Sequence, residues 1–258
     1  MSKTKKTTQD QSFTFVKTLP NLVTLTSLCI ALTAILHAMN GRFYDAAGYL
    51  LFAGMMDGLD GRLARYLNSS SDFGAQLDSL VDFANFSIVP GIVTYLWVLH
   101  NGFEAQIAWF VVLFYAVCGA TRLARFNVDL SDDDNSVLKE YFFKGIPAPA
   151  GAAMMTFPII LNREFGMGFY DNPALIIAYV IVIGVLMASS VPTISIKKIP
   201  IRNEYFYLTF IFLGTLVIGL LLKPWFTLMI IGLIYIISIP ITVVSYIILE
   251  KKLKAQTK

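Results

Sequence analysis

Asp57, Asp60, Asp78 and Asp82 stand within one short stretch of otherwise apolar sequence. It reads Asp57-Gly58-Leu59-Asp60-Gly61-Arg62-Leu63-Ala64-Arg65, then eight residues, then Gly74-Ala75-Gln76-Leu77-Asp78-Ser79-Leu80-Val81-Asp82. An acid in the hydrocarbon of a bilayer costs about 2.5–3.5 kcal/mol even on the gentler insertion scales. Four of them need a common counter-charge, and a divalent cation neutralises several acids at once. Asp57 and Asp60 are spaced i, i+3, and Asp78 and Asp82 i, i+4, so each pair shares one face of a helix. An all-oxygen ligand set favours a hard ion such as Mg²⁺, Mn²⁺ or Ca²⁺. Gly58, Gly61 and Gly74 remove bulk beside the acids, which permits close helix contact or leaves room for a ligand. Arg65, one turn beyond Gly61, is placed to contact a phosphate. A solvated helix end is the plainer reading of any single Asp-x-x-Asp. It fits Asp72, which lies outside the pattern, but Leu50–Met56 runs straight into Asp57, and Leu80, Val81 and Phe83 surround Asp82.

The elements that must position these acids are membrane spans. The chain has 258 residues, 56% of them hydrophobic and 14% charged, against roughly 25% charged in soluble domains. Its mean hydropathy is +0.66. This is the composition of an all-α, polytopic integral membrane protein. A net charge of +3 gives no reason to expect a nucleic-acid partner. Cys29 and Cys118 both sit in apolar stretches and read as packing residues, not a disulfide framework. No cleavable signal peptide is expected. Hydrophobic runs and polar breaks predict eight helices, at about 15–38, 43–66, 73–99, 104–128, 146–162, 173–195, 205–222 and 225–249. The fifth begins Pro147-Ala148-Pro149 and reads either as a short span or as partly re-entrant. The expected organisation is a polar cytoplasmic segment over 1–14, a membrane domain over 15–198, two further spans over 199–249 and a basic tail over 250–258.

Charge distribution sets the orientation. With both termini cytoplasmic, every Lys and Arg except Arg42, Arg163 and Lys223 falls on the cytoplasmic side. Asp57 and Asp60 then lie near the cytoplasmic end of the second helix, and Asp78 and Asp82 near the cytoplasmic start of the third. A short loop makes those helices antiparallel neighbours, so their acidic faces can meet.

The pattern Asp57-x₂-Asp60-Gly61-x₂-Ala64-Arg65-x₈-Gly74-x₃-Asp78-x₃-Asp82 resembles the signature of the CDP-alcohol phosphatidyltransferases, with every fixed position matched. The resemblance implies transfer of a phosphoalcohol from a CDP-linked donor to a hydroxyl acceptor, with release of CMP. It implies that the four acids ligate one or two Mg²⁺ or Mn²⁺ ions, with Asp82 as general base. Gly61 and Arg65 match positions that hold the nucleotide diphosphate, and Ser71 a small hydroxyl position near it. Pro20-Asn21-Leu22-Val23-Thr24 is similar to an Asn-x-x-Thr element at the family's nucleotide site; a helix cap is an equally good reading of Asn21. The resemblance also implies a homodimer in the cell membrane with its site at the cytoplasmic face.

Thr121-Arg122-Leu123-Ala124-Arg125-Phe126-Asn127 and Phe143-Lys144-Gly145-Ile146-Pro147-Ala148-Pro149 resemble elements of the phosphatidylserine synthase branch, as does Ser189-Ser190-Val191-Pro192-Thr193-Ile194-Ser195-Ile196-Lys197. That branch uses CDP-diacylglycerol and L-serine. Arg122, Arg125 and Asn127 would then receive the serine head group, since a carboxylate pairs well with Arg. Basic residues at a cytoplasmic helix end also have a simpler reading, as dipole and topology partners. Glycerol 3-phosphate or inositol phosphate are alternative acceptors. A cation transporter is the competing class, because intramembrane acids also mark ion paths. It is disfavoured by the crowding of the acids at one end and by the near absence of acidic or amide partners in the last four helices.

Overall fold

The computed structural model of the chain describes residues 4–69, 71–131, 142–166, 173–194 and 206–256. Lys3, Lys139, Ser195, Lys197, Lys198, Arg202 and Lys258, used above for orientation and family resemblance, lie outside the described residues. Two compact units are formed, Met1–Ala116 and Val117–Lys258.

The first unit holds α1 (Thr4–Met39), α2 (Phe43–Tyr66), α3 (Asp72–Phe83), a π-turn (Ala84–Ile88), α4 (Val89–His100) and the start of α5 (Ala105–Ser131). α1 and α2 pack along a seam of small residues. Ala31, Ala34 and Ala38 on α1 and Ala46, Ala47 and Ala53 on α2 are almost completely buried. Ala31, Ala34 and Ala38 follow i, i+3, i+7 spacing, and Ala46 and Ala53 lie seven residues apart beside Ala47. Each helix thus carries a stripe of small residues that lets two backbones approach, the packing mode that works where lipid removes the hydrophobic drive. α4 inserts Val89, Val93 and Trp97, one turn apart, into the same core. The third rod, expected as one helix over 73–99, carries a π-turn that periodicity does not reveal.

The second unit holds the end of α5, then β1 (Phe142–Lys144), α6 (Ala148–Phe165), α7 (Pro173–Ala188), β2 (Pro192–Ile194), α8 (Phe206–Leu222) and α9 (Pro224–Gln256). β1 and β2 form a two-stranded antiparallel sheet, with Phe143 opposite Thr193. The helix expected to run to residue 195 therefore stops at Ala188. Ser189 turns its hydroxyl back onto Leu186 O, and Pro192 has no N–H with which to continue a helix. The helix expected over 146–162 starts later, because Pro147 is extended (φ −56, ψ 142), and continues to Phe165, where Gly166 closes it in the left-handed region (φ 55). α6 packs on α9, where Gly232 faces the Phe157 ring too closely for any Cβ (2.5 Å).

Among the described residues, four segments combine the length and hydropathy needed to cross a bilayer: Thr18–Met39, Asp72–His100, Ala105–Asp129 and Pro224–Leu249. Leu175–Ala188 and Tyr207–Leu222 are apolar but shorter. α8 and α9 leave Leu208, Phe210, Ile211, Leu221, Ile234 and Ile241 largely exposed. Such surface belongs against lipid, and the fold is that of an all-α integral membrane protein.

Candidate active site

The four acids arrive from two helices that follow one another closely in the chain. α2 brings Asp57 and Asp60; α3 brings Asp78 and Asp82. One carboxylate oxygen from each of Asp57, Asp60 and Asp78 lies within 4.8 Å of the others. Asp82 is not in that triad, but its carboxyl is in hydrogen-bonding contact with Asp57. Among the described residues no Lys or Arg forms a salt bridge with any of the four.

Asp60 is the most fixed. It is only 4% exposed. Thr24 Oγ1, on α1, donates to its Oδ2 at 2.5 Å, and Gly61 N donates to its Oδ1 at 2.5 Å. Each oxygen thus has one donor and keeps lone-pair capacity for a further partner.

Two of the acids, Asp60 and Asp78, line a cavity together with Pro20, Asn21 and Thr24 of α1, Gly61 and Ala64 of α2, and Ser69, Ser71, Gly74 and Ala75 around the start of α3. The glycines now separate by role. A Cβ on Gly61 would meet nothing within 4 Å, so this position opens onto space. A Cβ on Gly74 would meet Asn21 Oδ1 at 3.0 Å and Ser71 Oγ at 3.2 Å, so Gly74 permits close approach of α1. A Cβ on Gly58 would also meet open space, and Gly58 supports no close contact.

The remaining residues singled out by the sequence fall into place as follows. Asn21 lies well inside α1, which begins at Thr4, so it is not a helix cap; it lines the cavity. Ser71 lines the cavity and is also the N-cap of α3, where its Oγ accepts from Gly74 N at 3.1 Å. Arg65 is exposed and donates through Nε to Gly61 O at 3.1 Å. Arg122, Arg125 and Asn127 belong to the second unit. Arg122 is nearly buried, and its Nε donates to Ile146 O at 2.6 Å. Arg125 donates to Ser189 O at 3.1 Å and Ala188 O at 2.7 Å, satisfying carbonyls at the end of α7. Asn127 is on an exposed stretch of α5.

Sequence reasoning passed over Ser27 and Asn85. Both are fully buried, and Asn85 donates to Ser27 Oγ at 3.0 Å and toward Asp57 Oδ1 at 3.5 Å. The available signal was an amide three residues after Asp82 in an apolar helix.

A divalent ion fits this donor set. The oxygens are hard, three or four carboxylates converge, and their spread matches ligands on opposite sides of an ion at about 2.0–2.6 Å. Without a cation the cluster leaves mutually repelling acids with no basic partner among the described residues.

The family model for CDP-alcohol phosphatidyltransferase matches residues 17–194. A second, for CDP-alcohol phosphatidyltransferase 2, matches residues 204–240, so α8 and the first part of α9 carry a family likeness beyond being apolar. The chain is similar to the CDP-diacylglycerol–serine O-phosphatidyltransferase of Mycobacterium tuberculosis (strain H37Rv), 34% identical over 227 residues, 88% of this chain and 78% of that protein. It is similar to the protein of that name from Helicobacter pylori (strain J99), 33% identical over 195 residues, 76% and 79% of the two chains. The one from Methanocaldococcus jannaschii is 32% identical over 213 residues, 82% of this chain and 88% of that protein. With its acid pairs on α2 and α3 and the matched signature in register, the chain belongs to the CDP-alcohol phosphatidyltransferase family.

Proposed function

We infer that the protein transfers the phosphatidyl group of CDP-diacylglycerol to the hydroxyl of L-serine, giving phosphatidylserine and CMP. The observation that carries this reading is the convergence of Asp57, Asp60 and Asp78, with Asp82 against Asp57 and no Lys or Arg paired to them among the described residues, beside a cavity that Gly61 leaves open. The names of the similar proteins support serine as acceptor.

Asp57, Asp60 and Asp78, with Asp82, would hold Mg²⁺ or Mn²⁺. Bound there, such an ion would supply positive charge to the non-bridging phosphate oxygens and the departing CMP. In this reading Asp82 accepts the serine hydroxyl proton as the new P–O bond forms and the bond to CMP breaks. Gly61 gives the diphosphate room, Arg65 supplies a guanidinium to it, and Asn21, Thr24 and Ser71 border the nucleotide. Thr24 also fixes Asp60. Serine's carboxylate is assigned to the α5 motif Arg122, Arg125 and Asn127. Since Arg125 also ties down α7, Arg125→Ala is expected to raise the KM for serine and lower stability, whereas Arg125→Lys separates the two; an unchanged KM in both removes the assignment.

The reading includes eight spans with both termini in the cytoplasm, the site at the cytoplasmic face of the cell membrane, and a homodimer. Acyl chains then remain in lipid while CDP and serine face water. The test is an acceptor panel with purified protein, CDP-diacylglycerol and Mn²⁺. CMP release is expected with serine. Release with glycerol 3-phosphate, inositol or inositol phosphate, and none with serine, assigns another acceptor; none with any alcohol sinks the enzyme reading.

A further inference from the structure

The rod carrying Asp78 and Asp82 changes register directly after Asp82. Val89 N donates to Ala84 O, the i→i+5 bond of a π-turn. Pro90 explains the place: it has no N–H, so Phe86 O has no α-helical donor. Tyr115, fully buried on α5, donates its hydroxyl to Phe86 O at 2.9 Å. Gly91 lets α5 come that close, since a Cβ there would sit 3.0 Å from Val112 Cγ1. The turn is therefore held in place by its neighbours.

Asn85 lies within this turn and is 3% exposed. Its amide orientation follows from the network around it. Ser27 donates its hydroxyl to Thr24 O at 2.7 Å, so Ser27 Oγ can only accept from Asn85. The Asp57 carboxylate is also an acceptor. Nδ2 must face both, at 3.0 and 3.5 Å. Asn85 Oδ1 is then buried with no hydrogen-bond partner among the described residues, a costly state for an acceptor. Two features thus coincide beside the acids: a neutral donor that orients Asp57 without adding negative charge, and a buried acceptor awaiting a donor.

We propose that Asn85 is a positioning residue of the metal centre: Nδ2 orients the Asp57 carboxylate, and Oδ1 accepts a hydrogen bond from a water that enters with the divalent cation. The inference rests on the reading of the four acids as a cation site. Partners of this kind set ligand orientation, and their loss typically weakens metal binding about 10–100-fold.

The test is Mn²⁺ titration of the full-length protein in lipid nanodiscs without lipid substrate, followed by the electron paramagnetic resonance of free Mn²⁺. Wild type, Asn85→Leu, Asn85→Ala and Ser27→Ala are compared, with melting temperatures taken in EDTA. Both Asn85 variants are expected to raise the Mn²⁺ Kd about 10–100-fold while the EDTA melting temperature holds. Ser27→Ala, which frees the amide to turn, is expected to give a smaller rise. Unchanged Kd values overturn the proposal. So does a rise that merely follows a fall in the EDTA melting temperature. If Asn85→Leu does not fold, Asn85→Ala and Ser27→Ala decide alone. Failure of wild type to bind Mn²⁺ is a different result, overturning the cation site and this inference with it.

Discussion

In the proposed reading Asp60 and Asp82 divide the work of the cluster. Asp60 is gripped by Thr24 and by Gly61 N, so its orientation depends on a hydroxyl from another helix. Thr24→Val keeps the shape and removes that donor. The Mn²⁺ Kd is expected to rise about tenfold, measured by titration, with thermal stability in EDTA nearly unchanged. Asp82 has no comparable pair of donors, touches Asp57, and stands apart from the tight triad. Such a position suits a group that exchanges a proton better than one that only ligates. Asp82→Asn is expected to lower kcat for CMP release about 10²–10⁴-fold while Mn²⁺ binding persists. Turnover above a few per cent of wild type counts against Asp82 as the base.

At the scale of elements, the second unit depends on a small knot where α7 ends. Gly145 has φ +75, and a Cβ there would lie 2.7 Å from the carbonyl oxygens of both Met187 and Ser189. Its N–H donates to Val191 O at 2.8 Å, and its carbonyl accepts from Thr193 Oγ1 at 2.8 Å. Arg122 and Arg125 satisfy the carbonyls on either side. No L side chain fits this position without moving backbone. Gly145→Ala is expected to cost about 1–3 kcal/mol or more, seen as a lower melting temperature in detergent. A variant that melts with wild type would mean the knot is not tightly held.

At the scale of the whole molecule, a cation bound by the acids and lipid packed on α8 and α9 would stabilise different parts of the chain. The acids repel one another within the first unit, and an ion that binds only the folded arrangement stabilises it by mass action. EDTA is expected to abolish CMP release and to lower the melting temperature, with Mn²⁺ or Mg²⁺ restoring both. Abolished activity with no change in melting temperature would place the ion on the substrate instead of the protein. The exposed apolar residues of α8 and α9 should make the C-terminal segment depend on lipid or detergent and not on the ion.

The acid cluster was legible in the sequence because its signals are local. Spacing of i, i+3 and i, i+4 defines helix faces, and charge inside apolar runs demands a counter-ion. The eight helical rods among the described residues, counting Asp72–His100 as one, were legible for the same reason, since apolar length and polar breaks are read along the chain. What needed the tertiary structure is every partnership between distant segments. Thr24 reaches Asp60 from another helix, Asn85 links Ser27 with Asp57 across three, and β1 meets β2 from opposite ends of two helices. Arg122 and Arg125 could be read as dipole partners or substrate ligands, but only packing delivered the carbonyls of Ile146, Ala188 and Ser189 to them. Periodicity tells which way a side chain points on its own helix; which atom waits there is decided when the helices pack.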